Sequence, residues 1–345
     1  MKKGLLSIPV YNQNYSISDV TNEVIKQVVN ADKWGLNEAF FGEHITDRHE
    51  KITSSLLMVS ALSKLTKNIK LGTLTTNLNF YKPAVVASLV SMADNLTQGR
   101  LMLGIGSGAN MSDIEAIGLE DKNNHALTLE IESIIQKLLT NDNLIDIKTD
   151  NFKVSTKKFG SEELGLGFFN HLHNNRKDLD ILMPALNKNS YNVKLCAKNK
   201  WSIVISNFCS DEIIENHIES YIKESPLGED EAFKKIKLSK IIFANKLKDK
   251  GKTLVYSDKS PFMQVTDIIF KKLKKYNKHQ CFGENINSSY EAGKQIILYG
   301  HPEEITSKIK SKYEKLSSII YITVPITNNM DFDNSLEIFS KDVSI

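Results

Sequence analysis

Glu43 and His44 sit side by side where an apolar run, Gly35–Phe41, gives out. An imidazole titrates near neutrality. A histidine held at the end of a buried strand is therefore equipped for acid–base work, or for hydrogen bonding to a reacting group. The remaining histidines, His49, His125, His171, His173, His217, His279 and His301, fall in stretches patterned as loops or helix surfaces and are expected to be solvated. His171-x-His173 could pair on a metal, but no carboxylate or third ligand stands at useful spacing, so no metal site is expected. A second candidate is Gly104-x-Gly106-x-Gly108, which also follows an apolar run. It lacks the third glycine of a dinucleotide fingerprint and does not lead cleanly into a helix. Two uses stay open for its glycines: close approach of backbone to a flat ligand, or a tight turn with no ligand. No Gly-x-Ser-x-Gly elbow and no phosphate-binding P-loop occur.

The elements that must position these residues alternate between two periods. Apolar strands are expected at Gly4–Pro9, Gly35–Phe41, Ile69–Thr75 and Leu101–Ile105. Between and after them, helical spacing covers Ser18–Lys33 (with Ser18 as cap), Thr53–Leu65, Pro83–Leu96 and Ala126–Leu139. Strand–helix units in succession imply a parallel sheet, and continuous apolar strands imply that both its faces are covered. The pattern resumes with strands at Ile181–Ala185, Trp201–Ser206, Lys240–Asn245 and Ile319–Val324, and a short one at Gln295–Leu298. Helices are expected at Ser190–Ala197, Asp211–Lys223, Pro302–Leu316 and Ser335–Phe339. About eight such units point to a (β/α)8 barrel forming one domain over residues 1–345, not to a doubly wound pair of domains. The irregular stretch 140–180 is expected to be an insertion over a barrel mouth that walls the pocket. The Lys-rich stretch 224–290 is expected to hold extra helices. In such a barrel the chemistry belongs at the carboxyl ends of the strands. That singles out Glu43-His44, Thr73–Asn77, Gly104–Asp113, Ala185–Ser190 and Ser206-Asn207.

Composition bounds the class. The 345 residues are 41% hydrophobic and 25% charged with a formal charge of +3, ordinary for a globular enzyme. No Lys/Arg block is interleaved with aromatics, which argues against nucleic acid as a partner. No apolar run reaches the roughly 18 residues needed to span a bilayer. The first ten residues are expected to be a buried strand, not a targeting segment. Cys196, Cys209 and Cys281 make no CxxC pair, which fits a reducing, cytoplasmic setting. Only Arg48, Arg100 and Arg176 are arginines among 44 basic residues, so each is a candidate for a job that needs a planar fork.

Taken together, Phe41-Gly-Glu-His44, Ile69-Lys-Leu-Gly-Thr73, Lys82-Pro83, Gln98-Gly-Arg-Leu-Met-Leu-Gly-Ile-Gly106, Ser112-Asp113 and Ile117-Gly118 carry a resemblance. So do Ser190-Tyr-Asn-Val-Lys-Leu-Cys-Ala197 and Gly300-His-Pro-Glu-Glu304. In order and spacing the chain resembles the bacterial luciferase-like flavin-dependent monooxygenases. The resemblance is weakest at 140–180 and 224–290. It implies a (β/α)8 barrel with insertions. It also implies reduced FMN as cofactor or diffusible co-substrate, O2, a small organic substrate, a partner flavin reductase and a homodimer. A branch of the family uses the deazaflavin F420 for hydride transfer, and a third possibility is a non-catalytic flavin-binding protein resembling an inactive luciferase subunit.

Carried over by position, the resemblance makes His44 the catalytic histidine. It places a cis peptide at Leu74–Thr75 under the flavin ring. It also puts cofactor contacts at Gly106, Ser107, Asn110, Asn189, Ser190 and Ser206. Two departures stand out. Ser107 replaces an arginine that pairs with the FMN phosphate in luciferases, which brings the chain nearer to the limonene-monooxygenase-like branch. Losing one charge-assisted contact implies phosphate binding weaker by about 1.5–3 kcal/mol, unless Arg48 or Arg176 supplies the cation. His44-Ile45 also stands where many relatives carry two histidines.

Overall fold

The computed structural model describes residues 1–345 apart from Pro9, Asn12, 248–250, Asp258 and Glu284. Among the described residues, eight parallel strands close into a ring. They are β1 (Lys2–Ser7), β2 (Glu38–Phe41), β3 (Lys70–Thr73), β4 (Leu101–Gly106), β5 (Asp180–Ala185), β6 (Ser202–Ile205), β7 (Ile236–Ala244) and β8 (Ser318–Ile322). Each pairs with the next, and β8 returns to β1 with Lys2 opposite Ser318. Every residue of β2, β4, β6, β7 and β8 is buried, because side chains fill the ring on one face and helices cover the other. This is the (β/α)8 barrel expected from the alternating periods.

The covering helices include α1 (Ile17–Lys33), α2 (Ser55–Leu62), α3 (Pro83–Leu96), α4 (Met111–Ala116), α5 (Asn124–Leu139), α6 (Tyr191–Asn199) and α7 (Asp211–Glu224). The cap of α1 is Ser16, not Ser18. Ser16 accepts from the Asp19 N–H while the Asp19 carboxylate accepts from the Ser16 N–H, a reciprocal box that fixes the start two residues earlier. Strand β2 starts at Glu38, because Gly35 takes a positive φ of 84° to end the preceding helix and turn the chain. Strand β7 runs nine residues, from Ile236 rather than Lys240. Its second half pairs with Ile297–Gly300, which helix Ser289–Ile296 leads into; the short strand therefore lies two residues later than its sequence pattern suggests. The 224–290 stretch does hold helices, at Glu229–Phe233, Gly251–Val255, Pro261–Lys275 and Ser289–Ile296. No helix among the described residues is long and apolar enough to cross a membrane.

The 140–180 insertion is not where it was expected. It joins the end of α5 to the start of β5, both at the amino-terminal side of the barrel. It is tied down there. Ser91 Oγ donates to the His171 carbonyl at 2.8 Å, the His173 N–H to Asp94 at 2.9 Å, and Arg176 to the Leu101 carbonyl at 2.7 Å. It therefore does not wall the rim that carries His44.

Candidate active site

His44 stands just past the end of β2, after Gly42 and Glu43, and its N–H donates to the Ile52 carbonyl at 2.9 Å. Its Nδ1 lies 2.8 Å from Asp113 Oδ2. Asp113 is fully buried in the short helix α4, which Asn110 caps by accepting from the Ser112 N–H at 3.3 Å. The other Asp113 oxygen accepts from the Thr46 N–H at 2.8 Å and from the Thr46 hydroxyl at 2.5 Å. The ring's second nitrogen, Nε2, is 3.6 Å from Glu50 Oε2. Glu50 in turn accepts from Lys272 Nζ at 2.8 Å, and Lys272 also bridges to Asp47. An imidazole thus stands between two carboxylates, with one lysine balancing two of the three acids around it. Burial pulls the His44 pKa down. The Glu50 charge and the Asp113 bond outweigh it, and the net shift is above the ordinary imidazole value. Burial likewise opposes ionisation of Asp113, but the bonds from His44 and Thr46 hold its carboxyl below the usual range.

Glu43, adjacent in sequence, does a different job. Its carboxylate accepts from the Ser55 N–H at 2.9 Å, the Ser55 hydroxyl at 2.8 Å and the Asn77 N–H at 2.7 Å. It ties the start of α2 and the Thr76–Asn77 segment to the end of β2. The Leu74–Thr75 bond is cis, as the resemblance implies. Thr75 Oγ1 donates to Asn77 Oδ1 at 2.9 Å.

The glycines of β4 serve a purpose their spacing did not reveal. A Cβ on Gly104 would fall 1.9 Å from the Thr73 carbonyl oxygen, and one on Gly106 would fall 2.2 Å from Thr75 Oγ1. Both let β4 lie against the turn after β3. Gly108 alone has the positive φ, 82°, of a tight turn. Asn79 Nδ2 donates to the Ser107 carbonyl at 3.0 Å and holds that loop in place.

Asn189, Ser190 and Ser206 lie on the same rim, at the ends of β5 and β6. Asn189 has a φ of 58° and its N–H donates to Asn216 at 3.1 Å. Ser190 precedes α6 without a capping bond. Ser206 Oγ accepts from the Phe208 N–H at 3.3 Å. The fold thus gathers His44 and Asn110 into one network around Asp113, sets Leu74, Thr75 and Gly106 at the neighbouring strand ends, and leaves Asn189, Ser190 and Ser206 further round the ring.

Asp113, Thr46, Glu50 and Lys272 are the additions. Asp113 lies in the Ser112-Asp113 pair, whose residue types alone point to no role. Glu50 and Lys272 lie 222 residues apart, a pairing no local pattern records. Arg176 does not supply a rim cation, because it pairs with buried Asp94 at 2.9 Å at the amino-terminal side. Arg48 is exposed. The expectation of solvated histidines fails at His217, which is fully buried with both ring nitrogens unpartnered, because it faces inward from α7.

Residues 4–158 match the family model described as luciferase-like monooxygenase. The chain is 33% identical to 4-hydroxyprotoasukamycin monooxygenase of Streptomyces nodosus subsp. asukaensis, over 36% of its own length and 33% of that protein. It is 26% identical to limonene 1,2-monooxygenase of Rhodococcus erythropolis, over 43% of its length and 38% of that protein. The matched segments thus span 33% and 38% of these relatives' own lengths. Among solved structures, it superposes on the oxygenating constituent of 3,6-diketocamphane monooxygenase from Pseudomonas putida, in complex with FMN. The TM-score is 0.85 at 20% identity, covering 99% of this chain and 97% of that one. It also superposes on an F420-dependent secondary alcohol dehydrogenase with a TM-score of 0.71 at 14% identity, covering 100% and 99%. At these identities the likeness is one of fold.

Proposed function

We propose that this chain is an FMN-dependent monooxygenase that oxidises a small organic substrate with O2, using reduced FMN delivered by a partner flavin reductase. The observation that carries this is His44, fixed by buried Asp113 at the carboxyl rim of a luciferase-like barrel. Members named as monooxygenases, one of them solved with FMN, support the class. The rim also fits a polar, flat ligand. Ser7 Oγ at the end of β1 and Asn207 Nδ2 after β6 are buried without a partner, and such groups are rarely left unsatisfied unless something else meets them.

Reduced FMN, when bound, supplies the electrons that activate O2. His44 donates a proton or hydrogen bond at the reacting face, and Asp113 keeps Nδ1 protonated so that Nε2 is the nitrogen that exchanges protons. Glu50 restrains Nε2 until a ligand competes for it. Leu74, Thr75, Gly106, Ser107, Asn110, Asn189, Ser190 and Ser206 would hold the cofactor. A cytoplasmic homodimer acting as one domain fits the same reading.

Anaerobic titration with photoreduced FMN, followed by thermal melting, tests the cofactor. A rise in Tm with FMN is expected; stabilisation by F420 alone would favour deazaflavin hydride transfer, the chemistry named for one structural neighbour. His44→Ala should abolish turnover while leaving FMN stabilisation intact. An unchanged rate would point to a non-catalytic flavin-binding protein.

A further inference from the structure

A cavity of about 470 Å³ lies outside the ring of strands and shares no lining residue with the His44 network. Its walls come from α1, from the end of β8 and the turn after it, and from the closing helices Met330–Asp333 and Ser335–Asp342. Register sets its side of the barrel wall. Ser318 of β8 turns inward to Glu38, so Tyr321, three residues on, turns outward and packs on Phe339 with ring centroids 5.4 Å apart. The volume suits a small molecule, since ligand pockets run from about 300 to 1,000 Å³.

Trp34, Phe332 and Leu336 give the cavity an apolar wall, while Gln27 and Asp333 add acceptors. Gln27 Nε2 is committed to the Val324 carbonyl at 3.3 Å and to Glu23 at 3.4 Å. Two acceptors around one amide atom identify it as the nitrogen, so the other atom is the oxygen. That oxygen is buried with no partner, which is uncommon for an acceptor. Asp333 spends Oδ1 on the Thr327 N–H at 2.8 Å and the Thr327 hydroxyl at 3.0 Å, and among the described residues no ion pair reaches its carboxylate. Nearby charges are already engaged. Glu337 pairs with Lys341 at 2.6 Å, and Lys26 is exposed and lies in the field of Glu23. An unpaired carboxylate and an orphan acceptor beside aromatic rings call for a donor that carries positive charge and an apolar body.

We propose that this cavity is a second small-molecule site, taking a compact primary amine with an aromatic or aliphatic body. The ammonium is set against Asp333 and Gln27, and the body lies on Trp34, Phe332 and Leu336. The site does not depend on the flavin reading.

Calorimetry on the full chain at pH 7 tests it with two probes of one shape and opposite charge, phenethylamine and 3-phenylpropionate. The wild type should bind the amine roughly 10-fold or more tighter, the scale of one charge-assisted contact. Asp333→Asn keeps the Oδ1 acceptor for Thr327 and removes only the charge, so the amine preference should fall toward one with the melting temperature of the free protein little changed. Trp34→Ala should weaken both probes. Equal binding of amine and acid by the wild type, no binding of the amine, or a preference unchanged in Asp333→Asn would overturn the site. Amine binding that His44→Ala abolishes while Asp333→Asn spares would place the amine at the rim and overturn it equally.

Discussion

An imidazole flanked by two carboxylates has its proton affinity set by neighbours that come from three parts of the chain. Asp113 and Glu50 favour the charged ring, and Lys272 partly cancels Glu50 and Asp47. Removing each should therefore move His44 in a known direction. Glu50→Gln should lower its pKa, and Lys272→Gln should raise it further, both read from the ring-proton NMR titration. Asp113→Asn should lower the pKa and free the ring to turn, with an activity loss on the order of 10- to 100-fold. The sign also reaches stability. His44 carries a folded-state pKa raised above its unfolded value, so its contribution is full below about pH 6.5 and is lost as pH rises through the folded value. Asp113→Asn should accordingly cost more Tm at pH 6 than at pH 9; an equal cost at both would mean the pair is not ionic.

At the scale of elements, α7 buries a titratable group, His217, on its inner face. Burial alone pulls the His217 pKa down to about 4. The unfolded chain protonates near 6.5, so the stability present above that value drains away as pH falls toward 4. At pH 5 the loss is roughly 2 kcal/mol by this linkage. A His217→Leu variant should escape it, and denaturant midpoints at pH 8 and pH 5 should converge relative to the wild type. Parallel midpoint shifts in both proteins would show that another group governs the acid limb. The arginines act at this scale too. Arg100 donates from its fork to the carbonyls of Ser63, Ile69 and Thr97, and Arg176 ties the insertion to β4. Their scarcity marked them correctly for geometric work, which is structural and lies at the amino-terminal side.

Across the whole molecule, ring closure passes through a charged floor. Lys237 of β7 donates to Glu38 of β2 at 2.6 Å, and Ser318 of β8 donates to the other Glu38 oxygen at 2.5 Å. Gly4 of β1 makes room, since a Cβ there would lie 2.7 Å from Glu38 Cγ. Strands far apart in sequence thus share one buried carboxylate. Replacing Lys237 with Met would strand that carboxylate without its cation, which costs about 3–5 kcal/mol in comparable buried pairs. Urea unfolding should show the midpoint fall with the slope unchanged. A change under about 1 kcal/mol would mean that the ring closes independently of this pair.

The order of strands and helices, the barrel they close and the position of His44 at a strand end were legible in the residues. Hydrophobic period is a local property, and each element writes its own. The cap at Ser16, the start of β2 and the side of the barrel taken by the insertion were not, because hydrogen-bond reciprocity and chain direction decide them. Least legible were the partners. Asp113 meets His44 across 69 residues and Lys272 meets Glu50 across 222. Side chains attract at distances of a few ångströms, and only a closed ring brings such positions that near. Sequence therefore fixed which groups stand at the rim, while folding alone decided which of them share a proton or an ion.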